Sequence, residues 1–386
     1  MRKALMILSI MVTAALFNTT VFASVNDDQV TSQKIKEADG TSGQNTNSGS
    51  GVKTGHIQDG AVTDAKITGP ISASKLQKPA NIIVVAKSGG DFSSIGSALD
   101  SINPSATNPY VIKVMPGIYV EKVTLKSFIH LQGSGADVTT IQSPCPSCNE
   151  GVVNIFGLSN LAVSDFTIYG GNSGYINSWG VYISASSPLI NDLTIDSHME
   201  GIRSDGTSSP VIRNNVIRSS RIAAIDLSGV PSGNSQGSIT GNRILGNSGD
   251  GIRVAYASPT IVGNIITDSN TGIGTVYSSS EITGNTITNG SYEGISVGTG
   301  GVPIIRGNNI VHCGYWGIRV LNSSTAQIIQ NIITNHSMLD IWVDSSSTAN
   351  ISFNIYDTVG MYDTVSDTPA TGFYNVKSDG SPASAL

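Results

Sequence analysis

The frame Ile-x-x-Asn-x-Ile constrains this chain more than any other feature. It occurs at Ile212/Asn215/Ile217, Ile239/Asn242/Ile244, Ile261/Asn264/Ile266, Ile282/Asn285/Ile287, Ile305/Asn308/Ile310 and Ile328/Asn331/Ile333, and closes at Ile351/Asn354/Tyr356. Two earlier copies put Phe166 and Leu193 in the Asn position. Successive centres lie 27, 22, 27, 22, 21, 23, 23 and 23 residues apart, so nine turns of one repeat follow one another. Each copy is followed by a second apolar stretch, such as "GIRS" at Gly201, "AIDL" at Ala224, "GIRV" at Gly251 and "GISV" at Gly294. There is no leucine periodicity and no apolar spacing of 3.6, which excludes leucine-rich and helical repeats. Short strands returning at this period describe an all-β parallel β-helix of about nine or more coils, each pairing with the next about 4.8 Å away. Ile and Val then point inward and stack. The Asn reads as a turn residue that tolerates left-handed backbone and bonds to its counterparts, a structural role.

Composition agrees with such a coil. Charged residues are 12% of the chain, about half the usual ~25%, so Ser, Thr and Asn must coat the surface. A net charge of −6, with no basic cluster after the first residues, argues against nucleic acid or an anionic membrane as partner and leaves sugars. Residues 1–23 read as a secretory signal peptide cut after Ala23, and no later segment is long and apolar enough to span a bilayer, so a soluble, secreted or periplasmic protein is expected. Residues 24–79 form a polar spacer, within which 50–80 looks like the short repeats of phage tail-fibre shafts and is a candidate trimerising stalk. The β-helix is expected over 80–363 and a C-terminal tail or cap over 364–386. Cys145 and Cys148 are spaced to pair in an oxidising compartment, while Cys313 reads as a small buried apolar side chain.

Order begins near Ile82. "NIIVVAK" reads as a strand, "DFSSIGSALDSINP" as a short N-terminal capping helix started by Asp91 or a following Ser, and "YVIKVMPGIYVEKVTL" as two strands around Pro116-Gly117. These sixty or so residues resemble the opening coils of pectin methylesterases. The later repeats resemble the right-handed parallel β-helix of the pectin-lyase-like superfamily and of NosD-type periplasmic proteins. The resemblance implies fold, not activity. The esterase motifs are absent from the sequence, as are the acidic and Gly-His-Gly motifs of polygalacturonases, and "IWVDS" only faintly resembles the Trp-Ile-Asp-His of pectate lyases.

Chemistry must then sit on outward positions. In "GIxV" the x residue faces out, giving Tyr182, Arg203, Asp226, Arg253, Gly274, Ser296, Arg319 and Trp342 coil by coil. Arg203, Asp226 and Arg253 should stack as a charge ladder, either a satisfied ion triad or a pair of forks for a sugar carboxylate. The densest titratable stretch is "IDSHMEGIR", with Asp196, His198, Glu200 and Arg203; it weakly resembles the Asp-Pro-His-Glu of mannuronan epimerases, without the Pro and with longer spacing. An acid, a base and a cation suit β-elimination or C5 epimerisation of a uronate, and solvated turn residues are the plain alternative. Asp196, His198, Glu200, Arg203 and Asp226 are the candidate catalytic residues, with Arg221, Arg253, Tyr182 and Trp179 for substrate. The two 27-residue coils should wall the site. Glu293, Tyr292, Tyr315 and Trp316 could extend an aromatic strip. No metal set stands out, although Asp196, His198 and Glu200 could hold Ca²⁺ with oxygens from another coil. Two readings result: an exported enzyme on anionic polysaccharide, lyase or C5-epimerase before hydrolase, or a non-catalytic carbohydrate-binding or adhesion β-helix.

Overall fold

The apolar residues at the two ends of each frame, with the Ile of the following Gly-Ile-x-Val stretch, give the chain three inward columns to bury, and burying them requires it to coil. The structure, a computed structural model, describes residues 81–144, 150–170, 178–231, 235–356, 359–361 and 375–381. Among these residues the strands form three parallel sheets of 12, 11 and 11 strands. The first sheet holds the Ile before the Asn, as in Glu281–Thr283. The second holds the Ile after it, as in Thr286–Thr288, and the third holds the Gly-Ile-x-Val stretch, as in Glu293–Gly298. Ile261, Ile282 and Ile305 are in register in the first sheet, Ile266, Ile287 and Ile310 in the second, and Ile273, Ile295 and Ile318 in the third. All nine side chains are buried. The parallel β-helix expected from the repeat is therefore the fold.

Each coil has three strands where the sequence pattern suggested two, because the frame bends at its centre. The residue before the Asn is left-handed: φ is 57° at Asn214, 64° at Gly284, 57° at Gln330 and 58° at Phe353. The repeated Asn itself is not among the residues of positive φ. Its amide instead turns inward and joins coils. Asn285 Nδ2 donates to Asn308 Oδ1 and to the Ile261 carbonyl, both at 2.9 Å. Its own Oδ1 accepts from the Asn264 backbone N–H and Nδ2, again at 2.9 Å. The same bonds run rung by rung from Asn215 through Asn354 to Asn375, which lies beyond the last copy of the frame, in the segment expected to be tail.

At the N-terminal end a six-residue helix, Ile95–Asp100, buries Ile95, Ala98 and Leu99. Ser94, rather than Asp91, is its N-cap and accepts from the Ser97 N–H. The Glu121 carboxylate takes the Ile95 and Gly96 N–H groups at 2.9 and 2.8 Å, satisfying donors that a helix start leaves open. Cys313 is buried, and burial pushes its thiol up to about 11, as suits a small core filler. The expected signal peptide, the spacer with its trimerising stalk, and the Cys145/Cys148 pair lie outside the described residues. No helix among the described residues is long and apolar enough to cross a membrane.

Candidate functional site

The third sheet carries the outward charges, and its register stacks them. Tyr182, Arg203, Asp226 and Arg253 pair in sequence on four successive coils, followed by Gly274, Ser296, Arg319 and Trp342. Three residues earlier on each strand lies a second position. There Trp179 pairs with Glu200, and Glu293 with Trp316. Strict alternation would put residues three apart on opposite faces, yet Glu200 and Arg203 meet, with Arg203 Nη1 donating to Glu200 Oε2 at 3.0 Å. Arg253 closes the group: Nη2 contacts Glu200 Oε1 at 3.1 Å and Asp226 Oδ2 still more closely, while Nε donates to Asp226 Oδ2 at 3.1 Å.

The layering of this group decides its chemistry. Side-chain exposure is 3% for Glu200 and 0% for Asp226, against 28% for Arg203 and 38% for Arg253. The carboxylates are a lower storey and the arginines its roof. Burial, and then the charge of Asp226, raises the Glu200 carboxyl above its ordinary range against the pull of Arg203 and Arg253. Burial likewise raises Asp250 on the next coil. Beside the roof, Trp179 and Tyr182 lie 4.6 Å apart, Phe156 meets Tyr182 edge-on at 5.1 Å, and Arg203 sits 5.4 Å over the Trp179 ring. Tyr182 Oη donates to Asp205 Oδ2 at 2.8 Å, and burial followed by that bond raises the phenol.

Of the residues expected to converge, Glu200, Arg203, Asp226, Arg253, Tyr182 and Trp179 do so. His198 does not. It is 0% exposed, with Nε2 3.3 Å from the Ile168 carbonyl and Nδ1 unpartnered, and burial pushes its imidazole down to about 4. The turn that carries it faces the inside of the coil, in the column continued by Ser220, Asn247 and Ser269, all buried. Asp196 belongs to the second sheet, where it accepts from Arg218 Nε at 2.9 Å. Arg221, expected to hold substrate, sits on the turn before Ala223, its N–H bonded to the His198 carbonyl at 3.1 Å. Asp196, His198 and Glu200 thus diverge in three directions, and the Ca²⁺ set they were to form does not assemble. Among the described residues, no three of His, Cys, Asp and Glu are placed to hold a metal ion. Of the expected loop walls, residues 169–179 and 228–238, the segments 171–177 and 232–234 lie outside the described residues.

A second group on the same sheet was only half legible. Arg319 Nη1 donates to the buried Glu293 Oε1 at 2.7 Å, and the guanidinium lies 4.5 Å over Trp316 and 5.0 Å over Trp342. Trp316 and Tyr315 stood out in the sequence. Their link to Arg319 and Trp342 follows from the register, which puts Trp342 one coil beyond Arg319. Asp205, the partner of Tyr182, was missed, though its place two residues after Arg203 puts it on the same face.

Fold and face together define a parallel β-helix bearing tryptophans and carboxylate-backed arginines on one sheet. The chain belongs to the family described as periplasmic copper-binding protein (NosD), whose model matches residues 110–281 and 232–365. A pectinesterase of Aspergillus aculeatus is 44% identical over 55 residues, 14% of this chain and 17% of that protein. Probable pectinesterase 67 of Arabidopsis thaliana is 26% identical over 132 residues, 33% of this chain and 35% of that protein. The chain thus spans about a third or less of these curated relatives. Among solved structures, the A-module of Azotobacter vinelandii mannuronan C-5 epimerase AlgE4 superposes with a TM-score of 0.53 at 14% identity, covering 76% of this chain and 94% of that one. The alginate lyase of Paenibacillus sp. str. FPU-7 gives 0.50 at 13% identity, covering 69% and 98%. At such identities the likeness is one of fold.

Proposed function

We propose that this protein is an exported, polysaccharide-binding β-helix that holds sugar rings on the outer face of its third sheet. One observation carries the reading: all three tryptophans of the chain, Trp179, Trp316 and Trp342, lie on that sheet, each against an arginine whose carboxylate partner is buried beneath it. Aromatic faces stack on the apolar faces of pyranose rings, and pinned guanidinium groups donate to hydroxyls at little cost in lost rotamer freedom. Export rests on the N-terminal pattern and on the family's description as periplasmic.

A lyase or C5-epimerase needs a base that touches the substrate. His198 is inside the coil, and Glu200 and Asp226 lie under the arginines, so the expected catalytic set offers none at the face. The expectation of an anionic sugar rested on open arginine forks, and Glu200 and Asp226 occupy these. Ring stacking on a neutral chain is the better fit. The family description also names copper. Cys313 and His336 adjoin through the backbone, but His336 Nδ1 accepts from the Cys313 N–H at 3.0 Å and Nε2 faces the Ile310 carbonyl at 3.2 Å. With both ring nitrogens engaged and the thiol held protonated, this set does not fit the ion.

Affinity electrophoresis against hydroxyethylcellulose, glucomannan, dextran, alginate and polygalacturonate tests the reading. A neutral polymer is expected to retard the protein, with little change between low and high salt, and Trp179→Ala to abolish the retardation. Retardation by the uronates alone that vanishes with salt, or new C4–C5 double bonds absorbing in the ultraviolet, would replace it with the anionic or the lyase reading.

A further inference from the structure

The two tryptophan–arginine groups sit at different heights on one face of the same sheet. Arg203 and Arg319 are separated by five coil steps, through Asp226, Arg253, Gly274 and Ser296, which at ~4.8 Å per step is roughly 24 Å. Between Arg253 and Arg319 the outward column shrinks to Gly274 and Ser296. A Cβ added at Gly274 would meet nothing nearer than Asp250 Oδ2 at 3.9 Å, so this stretch is an open floor. At its far end Trp316 and Trp342 lie 5.8 Å apart, with Tyr315 5.5 Å from Trp316. Each end has the same construction of a buried Glu, an arginine bonded to it, and indole rings against the guanidinium. The two residues of the column between, Gly274 and Ser296, carry no charge, and Asp250 lies at their edge.

We infer that Trp316, Arg319 and Trp342 form a second sugar-binding site, and that one extended, neutral, linear polysaccharide chain lies along the coil axis across Gly274 and Ser296 to occupy both sites. This rests on the proposed binding at Trp179 and deepens it by fixing the ligand's shape and direction. A chain running across the coils rather than along them would meet one tryptophan group and miss the other. A coiled or densely branched glycan could not keep contact with one column of residues stacked coil by coil over this distance. Arg319 already has a carboxylate partner and is held between two indoles, so this end, like the first, selects rings and hydroxyls rather than anions.

The test compares a polymer with its fragments in the full chain. Hydroxyethylcellulose and glucomannan, with cellotriose and mannotriose as short probes, are titrated by calorimetry into the unsubstituted protein, Trp179→Ala, and the double variant Trp316→Ala/Trp342→Ala. Two linked sites strengthen a ligand that spans them, so the double variant is expected to weaken polymer binding about tenfold or more while leaving the trisaccharide at the Trp179 site within about twofold. Trp316→Phe/Trp342→Phe, which keeps two rings, should restore most of the loss and controls for folding. Gly274→Ile, which raises the floor between the sites, should weaken the polymer alone. Polymer binding unchanged in the double alanine variant, or a trisaccharide bound as tightly as the polymer, overturns the second site while leaving the first intact. Binding unaffected by Trp179→Ala but lost in the double variant removes the first site instead, and an unsubstituted protein that binds neither polymer removes both.

Discussion

His198 shows how far residue type alone can mislead about a site. Flanked by Asp196 and Glu200, it has the makings of a proton-transfer group, yet the turn puts it inside the coil with one ring nitrogen unpartnered. Sequence gave its neighbours but not the side of the wall it stands on, because a turn residue lacks the strict alternation that assigns sides along a strand. Arg203 and Arg253, on strands, were placed outward correctly. The buried imidazole has a thermodynamic signature. With its pKa pushed down to about 4 in the fold and near 6.5 in the unfolded chain, the unfolded state binds more protons between those values. Its contribution to stability is therefore complete above pH 6.5 and lost as pH falls towards 4. His198→Leu should match the unsubstituted protein at pH 7 and exceed it progressively on acidification, by on the order of 3 kcal/mol at the bottom of the window. Denaturant midpoints at pH 7, 5.5 and 4.5 measure this, and parallel pH profiles for the two proteins would mean that His198 ionises freely.

At the scale of the coil, the repeat made most of the fold legible. The isoleucine columns, the one-step register and the direction of the third-sheet x residues all follow from spacing. What the spacing hid was the bend that splits each frame into two strands, since Gly241, Asn214, Gln330 and Phe353 share no side-chain type for a left-handed residue to announce itself. The ladder's last rung was hidden for a similar reason: Asn375 stands in "FYNVK", where no isoleucine pair marks a frame. Ladder position should set the cost of a break. Removing the Asn285 amide takes the acceptor from the Asn264 N–H and one donor from the Ile261 carbonyl, while Asn264 Nδ2 keeps the Ile239 carbonyl and Asn308 Oδ1 keeps the residue 285 N–H. With a buried unmet polar group costing about 1–3 kcal/mol, Asn285→Ala should lose on the order of 2 kcal/mol. At the end of the ladder Asn375→Ala should lose less, because Asn375 has no further rung to support among the described residues. Chemical denaturation of the two variants measures the difference, and equal losses would show that the rungs act independently of their neighbours.

For the whole molecule, the third sheet joins two things that a solenoid otherwise keeps apart: a core repeated without change, and a face that varies from coil to coil. Ile252, Ile273, Ile295 and Ile318 are interchangeable inside, while Arg253, Gly274, Ser296 and Arg319 outside are not. That variation, in an otherwise uniform and weakly charged chain, is why function is assigned to this face. Because every tryptophan of the chain is on it, the protein carries its own reporter. The most direct measurement is tryptophan emission during titration with the neutral polymers. The account predicts a saturable change in emission that follows the calorimetric isotherm, reduced but not removed by Trp179→Phe, since Trp316 and Trp342 continue to report the far end. Calorimetric binding of a polysaccharide with no change in tryptophan emission would place the ligand elsewhere on the coil and contradict it.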